Sequence, residues 1–265
     1  MLLREVDYAK PSSVAEALAL LAGNDGARAL AGGQTLLNVM KARAASPDML
    51  VDLDGLDELK GVELSADGTL TIGAMTTYSE LIASAEAKAR PILGEVCAQI
   101  ADVQVRNRGT IGGNLCSNDP TNHLPPLMAA IGARMTIAGA RGERTVAAGE
   151  FFLGVYMTAA GPGELLTRIT VPPGRHDGFA AVTLGVDGTC IVNAAASLDG
   201  SFRVAVGCVD AVPVVVEAES TGAVRAAVHG AGLDPPSDVH ASREYRLHLA
   251  EVLAERAALQ AEGRS

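Results

Sequence analysis

The chain has 265 residues, enough for two or three modest domains that each have a core of their own. Hydrophobic residues make up 48% of the chain, but only 3% are aromatic and Trp is absent, so the cores must consist of Ala, Val, Leu and Ile. The formal net charge of −10, without any long Lys/Arg run, argues against nucleic acid as the main partner.

No apolar run reaches about twenty residues, so the sequence predicts no membrane span. Charged residues at Arg4, Glu5 and Asp7 interrupt the first residues, and we therefore expect no signal peptide. We expect a cytoplasmic protein, with the inner face of the membrane as an alternative location.

The four cysteines are far apart and form no CxxC pair, which argues against a zinc ribbon or an iron–sulfur cluster in this chain. We expect four reduced and mostly buried thiols, and no bound metal. They are Cys97, Cys116, Cys190 and Cys208.

Residues 1–57 have the pattern of a small α/β unit. Ser13 and Glu16 form the signature of a capping box, which predicts a helix from there through Leu21. Strands are predicted at 27–31 and 49–53, and the run that begins at Leu36 is predicted as a helix.

Residues 58–175 are predicted as a second unit, of mixed helix and strand. We expect a hairpin of 61–64 with 69–73, helices at 77–84 and 91–101, strands at 134–138, 144–146 and 165–171, and a short helix near Glu150. In the second of these helices an apolar stripe is expected in the core: Ile92, Leu93, Val96, Cys97 and Ile100.

The sequence Pro172-Pro173-Gly174 marks the most favourable boundary, so that residues 176–265 form a third unit. Four strands are predicted in it, at 178–184, 191–198, 202–209 and 212–216, followed by a linker at 233–238 and a long helix at 242–259. Together the three units predict an α+β protein.

Two glycine-rich stretches dominate the sequence. In the stretch 108–115 three glycines fall within five positions, and the apolar run after Asp119 predicts a helix with Pro125 and Pro126 in its first turn. Such a loop turns several N–H groups the same way, and a helix start favours phosphate. The stretch 31–35 has the same character. Either one alone is typical of a tight turn, but two in one protein suggest a diphosphate held from both sides, hence a dinucleotide.

No sequence motif for a bond-making centre is present. The chain has no P-loop, no GxGxxG after a strand, no HExxH and no nucleophile elbow, and its five histidines are scattered and expected mostly at the surface. We therefore predict no catalytic residues, and a cofactor that carries the chemistry.

The two glycine stretches resemble the paired signatures of the FAD-binding medium subunit of molybdenum hydroxylases, the group that includes aerobic carbon monoxide dehydrogenase and the flavin domain of xanthine dehydrogenase. The likeness extends over nearly the whole chain, through 51–53, 72–77, 106–109, 163–166 and 244–246. It implies a two-subdomain FAD-binding fold of the vanillyl-alcohol-oxidase (PCMH) type, followed by a C-terminal α+β domain. It also implies a large molybdopterin subunit and a small subunit with two [2Fe–2S] clusters as partners, in a dimer of heterotrimers.

The resemblance also implies which residues bind FAD. Backbone amides of 31–35 and 110–114 would hold the pyrophosphate, the hydroxyls of Thr35 and Thr110 would add hydrogen bonds, and Leu166 would pack near the adenine or the flavin edge. Asn114 and Asp119 would fix the loop and the adjoining cofactor groups, with a helix cap as the equal alternative for Asp119. The complete set is Ala31, Gly32, Gly33, Gln34, Thr35, Thr110, Ile111, Gly112, Gly113, Asn114, Asp119, His123 and Leu166.

The chain departs from the family in two places. His123 stands where the family usually has an acidic residue, and it is either a ligand of ribose or phosphate or an exposed histidine at a helix start. In the segment 184–190, many relatives have a basic cluster, and an aromatic residue near the flavin about where Cys190 stands, so ring exposure is open.

Three functions follow as hypotheses. The first is a FAD-binding subunit that takes electrons from the [2Fe–2S] clusters of a partner and passes them to an external acceptor. The second is a scaffold subunit of the same complex that has lost flavin redox function, and the third is a free-standing FAD oxidase. The intact glycines in both loops count against the scaffold, and the lack of a substrate-activating base counts against the oxidase.

Overall fold

The computed structural model describes residues 3–185 and 188–264. It contains a three-stranded, a five-stranded and a four-stranded sheet and one two-stranded hairpin. Among the described residues, no helix is both long and apolar enough to span a membrane.

The first sheet is parallel, with its strands in the order β1-β3-β2. The strands are β1 (Asp7–Ala9), β2 (Ala27–Leu30) and β3 (Met49–Asp52), and the helices are α1 (Val14–Gly23) and α2 (Leu36–Lys41). The predicted capping box at α1 is half present. The Ser13 hydroxyl accepts from the amide of Glu16, but the Glu16 carboxylate accepts from the amide and hydroxyl of Ser12 instead of reaching back to Ser13.

The second sheet is antiparallel, in the order β4-β5-β10-β6-β7. Its strands are β4 (Val62–Leu64), β5 (Leu70–Gly73), β6 (Arg134–Gly139), β7 (Gly142–Ala147) and β10 (Leu165–Val171), and the hairpin beside it consists of β8 (Phe152–Gly154) and β9 (Met157–Thr158). The predicted hairpin and the three later predicted strands are all confirmed.

Six helices accompany this sheet. They are α3 (Tyr78–Ala83), α4 (Ile92–Cys97), α5 (Val103–Arg108), α6 (Ile111–Ser117), α7 (Leu124–Ala130) and α8 (Ala148–Phe151). The expected helix 91–101 ends at Cys97, and the backbone at Ala101 is left-handed, with φ 44°. Helix α5 was not predicted, because its residues carry no apolar stripe and none of them is buried.

The second glycine stretch is a helix and not the loop that the sequence predicted. Thr110 is the N-cap of α6, its hydroxyl accepts from the amide of Gly113, and Asn118 ends the helix in the left-handed region with φ 39°. Packing outweighs the low helix propensity of glycine, since a Cβ at Gly112 would lie 2.6 Å from the carbonyl oxygen of Ala74.

The third sheet is antiparallel and consists of β11 (Asp177–Thr183), β12 (Cys190–Asp199), β13 (Ser201–Gly207) and β14 (Val214–Ala218) in sequence order. The predicted strands and the long helix α10 (Arg243–Glu262) are confirmed, whereas α9 (Thr221–Gly230) was not predicted. Helix α10 lies so close to the sheet that a Cβ at Gly178 would come 2.8 Å from Cβ of Gln260.

Three apolar clusters form the core, and each packs mainly against one of the three larger sheets. The first joins α1 with β3, the second extends from Leu70 to Val171, and the third joins β12 and β13 to α10. The second cluster also takes in Phe179, Ala195 and Ala205 of the C-terminal sheet. The domain limits 1–57, 58–175 and 176–265 stay a prediction, and we propose them on the separation of these sheets.

Candidate functional site

The site begins where the two glycine stretches touch. A Cβ at Gly32 would overlap the carbonyl group of Arg108, 2.7 Å from its carbon atom. On the other side of the contact, a Cβ at Gly113 would lie 3.5 Å from Cβ of Ala31. The first loop therefore rests directly on the backbone that leads into α6, and glycine at 32 is required by this approach.

The backbone amides at the start of α6 already donate to protein acceptors. Ile111 donates to Thr76 O at 3.0 Å and Gly112 donates to Ala74 O at 2.8 Å. Gly113 and Asn114 donate to Thr110, at Oγ1 and at the carbonyl oxygen. The expectation that these amides hold a diphosphate is therefore not supported by their hydrogen bonds. Their role in the structure is to attach α6 to the strand that ends at Gly73.

The first loop is different. Within the described part of the chain, none of the amides of residues 32–35 donates to a protein acceptor. Gly33 has φ 73°, and the Gln34 side chain donates to Gly32 O at 3.0 Å, which holds the turn. Thr35 precedes α2, but its hydroxyl makes no capping hydrogen bond. This loop thus presents donors that nothing in the described protein satisfies.

Asn114, the next residue after Gly113 in α6, carries an unpartnered acceptor. Its Oδ1 atom is buried without a hydrogen-bond partner among the described residues. Burial raises the pKa of the neighbouring Tyr78 phenol, so its hydroxyl stays protonated. A buried carbonyl oxygen without a donor is costly, and it favours a donor group from outside the chain.

Asp119 fixes the loop between α6 and α7, as the sequence predicted, but it caps no helix. Its Oδ1 accepts from the amide of Thr121 at 2.9 Å and from the hydroxyl at 2.7 Å, and its Oδ2 accepts from the Tyr156 hydroxyl at 3.0 Å. Helix α7 begins at Leu124, with His123 at the N-cap position, so the helix-cap alternative is wrong.

His123 is buried, with 7% of its surface exposed, so the interpretation as an exposed helix-start histidine is wrong. Its ring lies 5.2 Å from the ring of Phe179, and Nδ1 lies 3.2 Å from the side-chain nitrogen of Asn193. The ring thus faces the C-terminal sheet. A contact with ribose or phosphate stays a prediction.

Leu166 is 5% exposed and lies in β10 opposite Ile137. It belongs to the apolar cluster against which Cys116 of α6 packs. The residue therefore supports α6 from the sheet side, and its predicted contact with the cofactor is not tested. Of the segment before Cys190, Val186 and Asp187 lie outside the described residues.

A cleft of about 310 Å³ opens beside the contact of the two stretches. Of the predicted site residues, it is lined by Ala31, Gly32 and Thr110. The rest of its lining was not predicted: Asp54, Lys60, Met75, Thr77, Ser79, Glu80, Asn107 and Arg108. Predicted residues 33–35, 111–114, 119, 123 and 166 lie outside the lining.

Arg108 is the residue that the sequence reasoning missed. It is exposed in the cleft, and within the described residues its guanidinium makes no ion pair or hydrogen bond. Lys60, across the cleft, is already held by Asp54 O and Asp57 Oδ1, both at 3.2 Å. The signal was present, because Arg108 opens the second glycine stretch. Among the described residues, no group of His, Cys, Asp and Glu side chains is arranged to hold a metal ion.

Comparison with known proteins shows the family. The model of the FAD binding domain in molybdopterin dehydrogenase matches residues 4–174. The chain is 39% identical to the carbon monoxide dehydrogenase medium chain of Afipia carboxidovorans, over 98% of this chain and 97% of that protein. It is 30% identical to the xanthine dehydrogenase FAD-binding subunit of Escherichia coli O157:H7, over 94% and 93%.

A solved structure agrees. The quinoline 2-oxidoreductase from Pseudomonas putida 86 superimposes with a TM-score of 0.92 and 35% identity, over 100% of this chain and 99% of that one. The predicted fold class, an α+β protein with a two-part FAD-binding fold and a C-terminal α+β domain, is confirmed. The chain belongs to the FAD-binding family of the molybdopterin dehydrogenases, as an FAD-binding oxidoreductase subunit.

Proposed function

We propose that this chain is the electron-transfer subunit of a molybdenum-containing hydroxylase or dehydrogenase. It takes electrons from the [2Fe–2S] clusters of a small partner subunit and passes them to an external acceptor. The observation that carries the proposal is the first glycine loop, where the amides of residues 32–35 have no protein acceptor within the described chain. A scaffold that had lost its cofactor would have no need to keep these donors free.

The donors of the first loop fit a diphosphate. Phosphate oxygens only accept hydrogen bonds at neutral pH, and successive backbone N–H groups in a turn form a concavity that suits them. Gly32 leaves no room for a side chain between this loop and Arg108. We therefore assign the diphosphate of FAD to residues 32–35, with the free Arg108 guanidinium in the adjoining cleft as a countercharge.

Asn114 fits a different part of the cofactor. Its unpartnered Oδ1 needs a donor, which a diphosphate does not have and which hydroxyl groups of the ribityl chain or ribose do have. We propose that Asn114 accepts from such a hydroxyl.

When it is bound, FAD exchanges electrons singly or in pairs, which links one-electron clusters to a two-electron acceptor. The chain's own residues bind and orient it, and we propose no acid, base or nucleophile among them. The relatives named above act on carbon monoxide, xanthine or quinoline by name, although this chain matches nearly the whole length of the similar chain in each of them. We therefore place substrate choice in the large molybdopterin subunit, and expect a dimer of heterotrimers in the cytoplasm.

The test is to purify the chain alone and together with its large and small partner subunits, and to identify the flavin released from each. We expect FAD, and flavin absorption bands that bleach when the clusters are reduced anaerobically. Gly112→Val, which would press on Ala74, should lose FAD and the reduction of an external dye while the clusters remain reducible.

Two outcomes would reject the proposal in different ways. A purified heterotrimer without flavin on this chain would favour the scaffold. An isolated chain that oxidises a substrate without partners would favour the free-standing oxidase.

A further inference from the structure

The hairpin of β8 and β9 carries an exposed apolar tip, which consists of residues 153–157. Its four large apolar side chains are exposed at 58%, 45%, 62% and 60%, in the order Leu153, Val155, Tyr156 and Met157. Among the described residues, no other stretch of five holds two exposed large apolar side chains. Single exposed apolar residues need no explanation, but a contiguous apolar patch on a monomer is often a contact surface.

Hydrogen bonds hold this tip in one conformation. Asn118, which is buried, donates through Nδ2 to Gly154 O at 2.7 Å and to Met157 O at 3.3 Å. The carbonyl oxygen of Asn118 accepts from the amide of Tyr156 at 3.2 Å, and Oδ2 of Asp119 accepts from the Tyr156 hydroxyl at 3.0 Å. The tip is therefore fixed to the turn that ends α6. An apolar surface that is already ordered loses little conformational entropy when it binds.

The backbone of the tip is strained at its most exposed residue. Tyr156 has φ 57°, a left-handed conformation that is uncommon for an aromatic residue and that glycine would adopt without steric cost. Asn118, which anchors the tip, is left-handed as well, with φ 39°. Strained backbone is concentrated at functional sites, where it presents a side chain in a fixed position. At Tyr156 the hydroxyl is used inside the chain, whereas the ring is left exposed to solvent.

The tip has the composition of the centre of a protein interface. It contains no charged residue, and interface centres are depleted of charged residues and enriched in Tyr and Met. With exposures of this size, its side chains offer on the order of 400 Å² of apolar surface, about half of the roughly 800 Å² that one partner contributes to a stable interface. The tip therefore suits the middle of a larger contact with another folded protein.

The position of the tip in the fold indicates which protein this is. The tip is fixed to Asn118 and Asp119 at the end of α6, and Asn114, to which we assign a hydroxyl of the cofactor, lies about 6 Å earlier along the same helix. Electron transfer between protein-bound centres weakens steeply with distance. The subunit that carries the [2Fe–2S] clusters must therefore dock close to the cofactor, a constraint that does not apply to the large subunit.

We propose that the tip 153–157 is the docking contact of this chain for the small [2Fe–2S] subunit. Tyr156 and Met157 insert into an apolar depression of that subunit, and the buried Asn118 holds them in place for it. This inference rests on the proposed function, because it takes the source of the electrons from there. It adds the surface through which the electron donor is recognised.

The test uses the assembled complex of this chain with its large and small subunits. Met157→p-benzoylphenylalanine places a photo-crosslinking side chain in the tip. Leu259→p-benzoylphenylalanine, at a residue of α10 with a similar exposure of 52%, is the matched control. After irradiation, the crosslinked subunit is identified by mass spectrometry. We expect position 157 to crosslink to the small subunit and position 259 not to do so. A crosslink from 157 to the large subunit or to a second copy of this chain, or no crosslink, would overturn the proposal.

A second pair of variants measures the strength of the contact. Met157→Glu puts a charge into the middle of the interface and should make this chain dissociate from the complex at least about tenfold faster, whereas Leu259→Glu should not. Because Met157 is exposed in the free chain, Met157→Glu should keep its FAD and unfold at the same urea concentration as the wild type. Equal dissociation rates for the two variants would contradict the proposal.

The flavin distinguishes a failure of this inference from a failure of the proposed function. A complex whose FAD bleaches when the clusters are reduced, but whose position 157 does not crosslink to the small subunit, would overturn the docking contact and leave the proposed function standing. A complex without flavin on this chain would reject the proposed function, and the docking inference with it.

Discussion

Single atoms decide what the site can bind. The free amides of the first loop are donors that need acceptors, and the unpartnered Oδ1 of Asn114 is an acceptor that needs a donor. One ligand that satisfies both must carry acceptors as well as donors. A free phosphate would satisfy only the first. A dinucleotide with sugar hydroxyl groups beside its diphosphate would satisfy both, as we propose for FAD.

The contact at Gly32 gives a prediction at this scale. Gly32→Ala should lose bound FAD and destabilise the chain by about 1–3 kcal/mol, because the new Cβ would overlap the carbonyl group of Arg108 and push the two stretches apart. The measurements are FAD content by absorption and the free energy of unfolding in urea. Gly222→Ala is the control, since its Cβ would meet nothing within 4 Å. Equal FAD content in both variants would contradict the assignment.

The ion pair of Arg144 with Glu164 should make the free energy of unfolding depend on pH. Hydrogen bonding from Arg144 lowers the pKa of Glu164 below its ordinary value of 4.5, and the amide of Gly161 contributes as well. The stabilisation is therefore fully present above pH 4.5 and is lost as the pH falls through the lower pKa of the folded state. Arg144→Gln should cost about 0.5–1 kcal/mol at pH 7, since the pair is partly exposed.

The check is the difference in unfolding free energy between wild type and Arg144→Gln, measured by urea titration at several pH values. The difference should shrink toward zero as the pH falls below 4.5. A difference that stays constant down to pH 3 would mean that the arginine stabilises the chain by packing alone.

At the scale of elements, a buried ion pair joins the segment before α4 to β11. The Arg90 guanidinium donates to both carboxylate oxygens of Asp177 at 2.8 Å, and also to Pro172 O and the Ser197 hydroxyl. Both side chains are almost completely buried. This contact crosses the proposed boundary near Pro172, so it couples the C-terminal sheet to the second sheet.

We expect Asp177→Ala to destabilise the chain by about 3–5 kcal/mol, because it leaves a buried guanidinium without its countercharge. Replacing both partners, as in Arg90→Met with Asp177→Leu, should restore much of the loss, since no unpaired charge remains. Unfolding free energies of the two single variants and the double variant test this. A double variant that is less stable than either single variant would contradict it.

At the scale of the whole molecule, the cofactor should act as a folding ligand. In the proposed division the first glycine loop belongs to the first unit and α6 to the second, so we expect FAD bound between them to stabilise their association. At about 100 times its Kd, FAD should add about 2.7 kcal/mol to the free energy of unfolding of the cofactor-depleted chain. The measurement is thermal unfolding with and without FAD, and Gly32→Ala should show no such shift.

Many of the helices and strands, and the family, could be predicted from local sequence. Alternating apolar residues around the turn 66–68 placed the β4–β5 hairpin, Ser242 marked the start of α10, and the two Gly-Gly stretches identified the FAD-binding family. These signals are local because a turn, a helix cap or a glycine contact depends on neighbouring residues. Helix α5 escaped prediction because it carries too little apolar pattern to be told from a loop, whereas α9 was missed although Val224 and Val228, four residues apart, form its buried face.

The tertiary structure alone decided which amides are free. The first amides of α6 donate to Ala74 O and Thr76 O, which lie more than thirty positions earlier in the chain. No local sequence pattern predicts these hydrogen bonds. The burial of His123 is also a result of tertiary structure. The local pattern predicts a histidine at a helix start, and contact with Phe179 of the C-terminal sheet buries its ring. Sequence by itself determined the family and most of the elements, whereas long-range packing determined which polar atoms remain for a ligand.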